Sequence, residues 1–143
     1  MDRNKGRRVS KMKRIILMVL ISLIILILFS NAVWDSGRYI VWTKYSLRSN
    51  RFKIEKFKEI KNKYPYSLTE LKAKINDELD GKIYKEYISS KKGQLAEAER
   101  LDGEGGWYYN PATGELKINL LEPVKKYYPF YFGECRNEIP SNW

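Results

Sequence analysis

The sequence predicts an α+β fold. A long N-terminal helix, a membrane span continuing into an amphipathic half, is expected to pack on a small antiparallel sheet, with a short second helix beside it. Three observations predict this. Residues 15–29 are apolar except for Ser22. Residues 38–63 contain neither glycine nor proline and repeat apolar side chains every three, four or seven positions. An aromatic triplet, Trp107-Tyr108-Tyr109, leads through a turn into a segment that alternates with period two.

The apolar run comes first. Continued through Ser30 and Asn31 to Trp34 it reaches 20 residues. At about 1.5 Å per residue that crosses the roughly 30 Å hydrocarbon core. Trp34 stands where an interfacial aromatic belongs. Residues 1–14 carry seven basic side chains against one acid, Asp2. The positive-inside rule therefore keeps the N-terminus cytoplasmic and exports the rest. The far side is not free of positive charge: Arg38, Lys44, Arg48, Arg51 and Lys53 follow the span. The division read from sequence is a basic cytoplasmic tail over 1–14, a transmembrane signal anchor over 15–34 and an exported α+β domain over 35–143. The rival reading is a cleaved signal peptide, because Ser30-Asn31-Ala32 is an acceptable processing site and would leave Val33 as the new terminus.

Ile40, Leu47 and Ile54 recur every seven residues, with Phe57, Ile60 and Tyr64 following. This predicts an amphipathic helix stopped by Tyr64-Pro65, since proline disfavours helical geometry in the residue before it. Gly37 is a candidate kink. Ser67-Leu68-Thr69-Glu70 matches a capping box, and Leu68, Leu71, Ile75 and Leu79 continue a short helix towards Asp80-Gly81. Ile83, Tyr84, Tyr87 and Ile88 read equally as a strand or a helical turn, Ser89 to Gly93 as a loop, and Gln94 to Arg100 as helix-forming. Asn110-Pro111-Ala112-Thr113-Gly114 is a turn between Trp107-Tyr108-Tyr109 and Glu115 to Leu120. Leu116, Ile118 and Leu120 on one face are expected to cover a helix. Tyr127 to Phe132 is expected to add an edge strand, the position that Pro129 suits.

Charge and absences bound the chemistry. The formal net charge is +10, but residues 1–14 hold +6 of it and residues 35–143, with 20 basic and 16 acidic side chains, only +4. Nucleic acid is thus not an expected partner of the exported part. No histidine is present, which excludes His-dependent triads and His-ligated zinc within one chain. A lone Cys135 excludes an intramolecular disulfide and is expected to be buried, with a link between chains as the alternative. Asp102 and Glu104 sit among glycines, and two side chains supply too few oxygens for calcium, so this segment reads as a turn. No metal or cofactor is expected, and no acids are paired in a way that predicts catalysis.

Two stretches carry a resemblance. Tyr64-Pro65-Tyr66-Ser67-Leu68-Thr69-Glu70-Leu71 is similar to the YPxSLxEL that follows the long helix in type II secretion pseudopilins. Gly105-Gly106-Trp107-Tyr108-Tyr109-Asn110-Pro111-Ala112-Thr113-Gly114-Glu115-Leu116 is similar to the aromatic hairpin of that family, GGWxYNPxTGEV. In order of elements the chain resembles a type IV pilin or pseudopilin over most of residues 15–120. It lacks the family's processing motif, a glycine followed by Phe-Thr-Leu-x-Glu, and no acid lies between Arg3 and Trp34. The resemblance therefore implies a pilin-like domain on an ordinary signal anchor, not a polymerising subunit. It implies a non-catalytic role in a secretion- or pilus-type envelope system. The expected partners are the lipid bilayer, other envelope or secretion proteins, and a second copy of the chain. The alternative is a secreted or periplasmic module that binds glycan or DNA. The aromatic cluster Tyr127, Tyr128, Phe130 and Tyr131 is the expected partner-binding surface.

Overall fold

The computed structural model describes residues 3–74, 84, 86–88 and 97–143, with the side chains of 3–11 and 72–74 left aside. The fold is α+β, as the sequence predicts. The chain divides into two units, Met1–Asp35 and Ser36–Trp143. Helix α1 spans Arg3–Lys61 and so contributes to both.

In the first unit, every large apolar side chain from Met12 to Phe29 is exposed. None of its most apolar stretch is buried, and the helix is long and apolar enough to cross a membrane. The hydroxyl of Ser22 donates to Met18 O at 2.9 Å, which satisfies the one polar side chain of residues 15–29 within its own helix.

The second unit is built around the expected stripe. Ile40, Leu47, Ile54 and Phe57 of α1 are buried together with Leu68 and Leu71, Trp107 and Tyr109, and Leu116, Ile118 and Leu120. Each such side chain contributes about 1.5–3 kcal/mol by leaving water. Leu116 and Ile118 therefore meet the helix stripe in one core, as expected of the hairpin.

Helix α1 ends at Asn62, which takes φ +55° and donates its N–H to Lys58 O at 2.7 Å. Asparagine tolerates this left-handed geometry better than most residues, and the helix stops two residues before Pro65 was expected to stop it. Helix α2 spans Leu68–Lys74. The Ser67 hydroxyl accepts from Glu70 N–H at 3.1 Å, and Glu70 Oε2 accepts from Tyr66 N–H at 2.6 Å. The reciprocal capping read in the sequence is thus formed, displaced by one residue at its outer end. The expected continuation through Ile75 and Leu79 to Gly81 lies outside the described residues, as do Ile83 and the segment 89–96.

The sheet has three strands in the order β1 (Glu97–Ala98), β2 (Trp107–Asn110) and β3 (Glu115–Ile118). The β2–β3 hairpin is antiparallel, with Trp107 opposite Ile118 and Tyr109 opposite Leu116. Those four side chains share the buried face. Strand β1 joins β2 in parallel, so the sheet is mixed where an antiparallel one was expected. Glu97 and Ala98 are extended, which corrects the helical reading of that end of 94–100. Tyr84, Glu86, Tyr87 and Ile88 form neither strand nor helix.

The hairpin turn is organised by Asn110. Its carbonyl accepts from Thr113 N–H at 3.3 Å and Gly114 N–H at 2.8 Å, and its side chain accepts from Ala112 N–H at 3.0 Å. Gly114 closes the turn at φ +73°.

After β3 the chain forms helix α3 (Val124–Tyr127) and two 3-10 turns, Glu134–Asn137 and Pro140–Asn142. The edge strand expected over 127–132 is not there. Tyr127 closes α3, and Tyr131 N–H bonds Tyr128 O at 3.0 Å around Pro129 and Phe130. Proline fixes φ near the value that the second residue of a tight turn needs, and the turn wins over the strand.

Candidate functional site

The four aromatics expected to form a partner surface separate by burial. Tyr127, Tyr128 and Tyr131 are half-buried and pack against the core, while Phe130 is 51% exposed. Tyr128 stacks on Tyr39 with centroids 6.3 Å apart and donates its hydroxyl to Tyr87 O at 3.0 Å. Burial raises the pKa of both Tyr127 and Tyr131. The outward aromatics of this turn are Phe130 and its neighbour Phe132. Arg136 lies over the Phe132 ring at 5.0 Å and donates to Pro129 O and Tyr131 O, which fixes the loop that displays them.

A second surface lies on α1, half a turn from its buried stripe. Val41, Trp42, Tyr45 and Phe52 are each between 47% and 64% exposed. Their spacing of four and seven residues puts Val41, Tyr45 and Phe52 on one line. Arg38 packs over Trp42 at 5.4 Å and Lys56 over Phe52 at 5.9 Å. Trp42 and Tyr45 meet Tyr87 and Tyr84 edge-on, at 5.7 Å and 5.5 Å, so their rings are positioned rather than loose. Reading the sequence for its buried stripe alone misses this face. The signal was the same periodicity shifted by half a turn.

The glycine loop 102–106 is held by a buried polar residue. Asn119 Oδ1 accepts from Asp102 N–H at 2.9 Å and Gly103 N–H at 3.0 Å, and its Nδ2 donates to Asp102 Oδ1 at 2.8 Å. Asp102 Oδ1 also accepts from Glu104 N–H at 3.1 Å. Hydrogen bonding from Asn119, then from Glu104, lowers the Asp102 pKa. This carboxylate is engaged in shaping the turn. Among the described residues, no group of three or more His, Cys, Asp or Glu side chains is placed to hold a metal ion.

A cleft of about 410 Å³ lies between α1 and the hairpin turn, lined by Arg51, Glu55, Thr113, Gly114, Glu115 and Leu116. Its cation is already committed. Arg51 Nε and Nη2 donate to Leu116 O at 3.1 and 2.9 Å, and Nη1 donates to Trp143 O at 2.8 Å. Cys135, expected to be buried, is half-buried at the rim of the core. Its thiol touches Lys44 because the 3-10 turn that carries it lies against α1.

Comparison with protein families, with curated proteins and with solved structures finds no match to this chain.

Proposed function

We propose that this chain is a non-catalytic, membrane-anchored, pilin-like protein that acts as an interaction or assembly component of a secretion- or pilus-type envelope system. Its N-terminus is cytoplasmic and its Ser36–Trp143 unit is displayed on the other side. The observation that carries this reading is the exposed face of Val41, Trp42, Tyr45 and Phe52. Four large apolar side chains exposed on one helix face, with Arg48 between Tyr45 and Phe52, are more than scattered surface hydrophobics and suit a contact surface of mixed apolar and basic character. The apolar helix before it supplies the anchor, and the order of helix, capped second helix and aromatic hairpin supports the likeness to pilins.

A photo-crosslinking amino acid at position 45, in the native host, tests this. Covalent adducts with envelope or secretion proteins are expected, on a chain that retains residues 1–32. Adducts with soluble cytoplasmic proteins would overturn the reading. A mature chain beginning at Val33 would replace it with a released glycan- or DNA-binding module.

A further inference from the structure

Lys44 and Cys135 are 91 residues apart in sequence, yet Lys44 Nζ lies 2.9 Å from Cys135 Sγ. Sulfur is larger than oxygen, so this is a close approach for nitrogen to sulfur. The amine is held there from two further sides. Glu138 Oε2 accepts from Nζ at 3.0 Å, and the Trp143 ring lies 4.3 Å from Nζ. Burial works against the Lys44 charge, but the hydrogen bonds to Cys135 and Glu138 outweigh it and raise its pKa. The Lys44 side chain keeps 34% of its surface exposed and Cys135 is half-buried, so neither residue is sealed within the core.

Peroxides convert accessible cysteine to sulfenic acid, and a backbone nitrogen beside that sulfur condenses with it to a sulfenamide; a deprotonated lysine amine in the same place is a stronger nucleophile than an amide. We propose that Lys44 and Cys135 are such a pair, a modification site at which peroxide closes a covalent bond between α1 and the turn Glu134–Asn137. In the first step, the sulfur attacks one peroxide oxygen. An S–O bond forms, the O–O bond breaks, and the departing hydroxide leaves as water with the thiol proton. Sulfur loses two electrons and the peroxide gains them. In the second step, the neutral Lys44 amine attacks Sγ. An S–N bond forms, the S–O bond breaks, and hydroxide leaves as a second water with a proton from nitrogen. One peroxide is consumed, two waters are released, and the chain loses two hydrogens. This rests on the local geometry and stands apart from the proposed envelope role.

The test uses the full chain in detergent micelles, reduced and then treated with hydrogen peroxide, read by intact mass and peptide mapping. The expected product is two hydrogens lighter, yields a linked peptide pair containing Lys44 and Cys135, and reverts with dithiothreitol. It forms faster as pH rises, because the ammonium must lose its proton before attack. Lys44→Arg keeps the charge, loses the linked product, and accumulates oxygen on Cys135 instead. A wild-type chain that only gains oxygen at Cys135, forms disulfide dimers, or stays unmodified overturns the proposal. A linked pair that retains an added oxygen overturns the direct S–N bond.

Discussion

The side-chain amide of Asn50 grips the backbone of Tyr84 at two points: Nδ2 donates to Tyr84 O at 2.9 Å and Oδ1 accepts from Tyr84 N–H at 3.0 Å. A residue of α1 thus does for this segment what a neighbouring strand would do. Trp107 Nε1 donates to the same Tyr84 carbonyl at 3.1 Å, so helix, connecting segment and sheet meet at one peptide unit.

Asn50 is fully buried. Asn50→Ala removes the acceptor of the half-buried Tyr84 N–H and one donor to its carbonyl, at a cost of about 1–2 kcal/mol. Urea unfolding of the variant should show a lower midpoint with an unchanged slope. An unchanged midpoint would mean that water replaces the amide at no cost.

Gly114 is required by two separate effects. Its φ is +73°, and a Cβ built there would sit 2.2 Å from Tyr64 Cε1. Gly114→Ala should therefore destabilise the fold by about 2 kcal/mol or more, of which about 1–2 kcal/mol is backbone strain. In a Tyr64→Ala background only the strain should remain. A double-mutant cycle by thermal unfolding separates the two, and equal losses in both backgrounds would remove the ring contact from the explanation.

Two carboxylates should pull stability in opposite directions with pH. Burial of Glu97 raises its pKa above 4.5, only partly offset by the Leu68 N–H that it accepts. Its stabilising contribution is complete below the ordinary value and fades as pH rises through the folded one. Asp102 is lowered from 3.8 by Asn119 and Glu104, so its contribution is present above the ordinary value and is lost as pH falls through the folded one. Melting temperatures from acid to neutral pH should show Glu97→Gln equal to or above wild type at neutral pH. Asp102→Asn should flatten the acid limb instead.

The exposed face of α1 predicts a split between stability and contact. Val41→Glu and Phe52→Glu should each alter unfolding free energy by no more than about 0.5 kcal/mol, as surface changes do. Both should abolish the crosslinks formed from position 45. Loss of folding in either variant would show that these side chains belong to a core.

Much of the architecture was legible because its signals are local. The stripe of Ile40, Leu47, Ile54 and Phe57, the cap at Ser67 and the turn at Asn110 to Gly114 each depend on neighbours in sequence. What escaped depends on distant partners. Strand β1 is two residues long, too short for period-two alternation to register, and exists through pairing with β2. Tyr127 to Phe132 has strand composition, yet Pro129 turns it and the core draws three tyrosines inwards. Asn119 follows Ile118 as one polar residue among apolar ones, and nothing local announces that it organises the 102–106 loop. The exposed face containing Tyr45 and Phe52 shares its spacing with the buried stripe, so periodicity alone does not tell the two faces apart.

The grip of Arg51 on Leu116 bears on how the molecule keeps to itself. Strand β3 lies at the margin of the sheet, where free carbonyls invite another chain to add a strand. Two guanidinium nitrogens occupy Leu116 O, and Ser141 N–H occupies Leu120 O at 3.2 Å just beyond the strand. The fold thereby occupies two of the carbonyls at this margin, Leu116 O and Leu120 O, from within the chain. At this stretch of β3 a second copy would have to displace a guanidinium before it could pair through the backbone, whereas contacts made by side chains meet no such barrier.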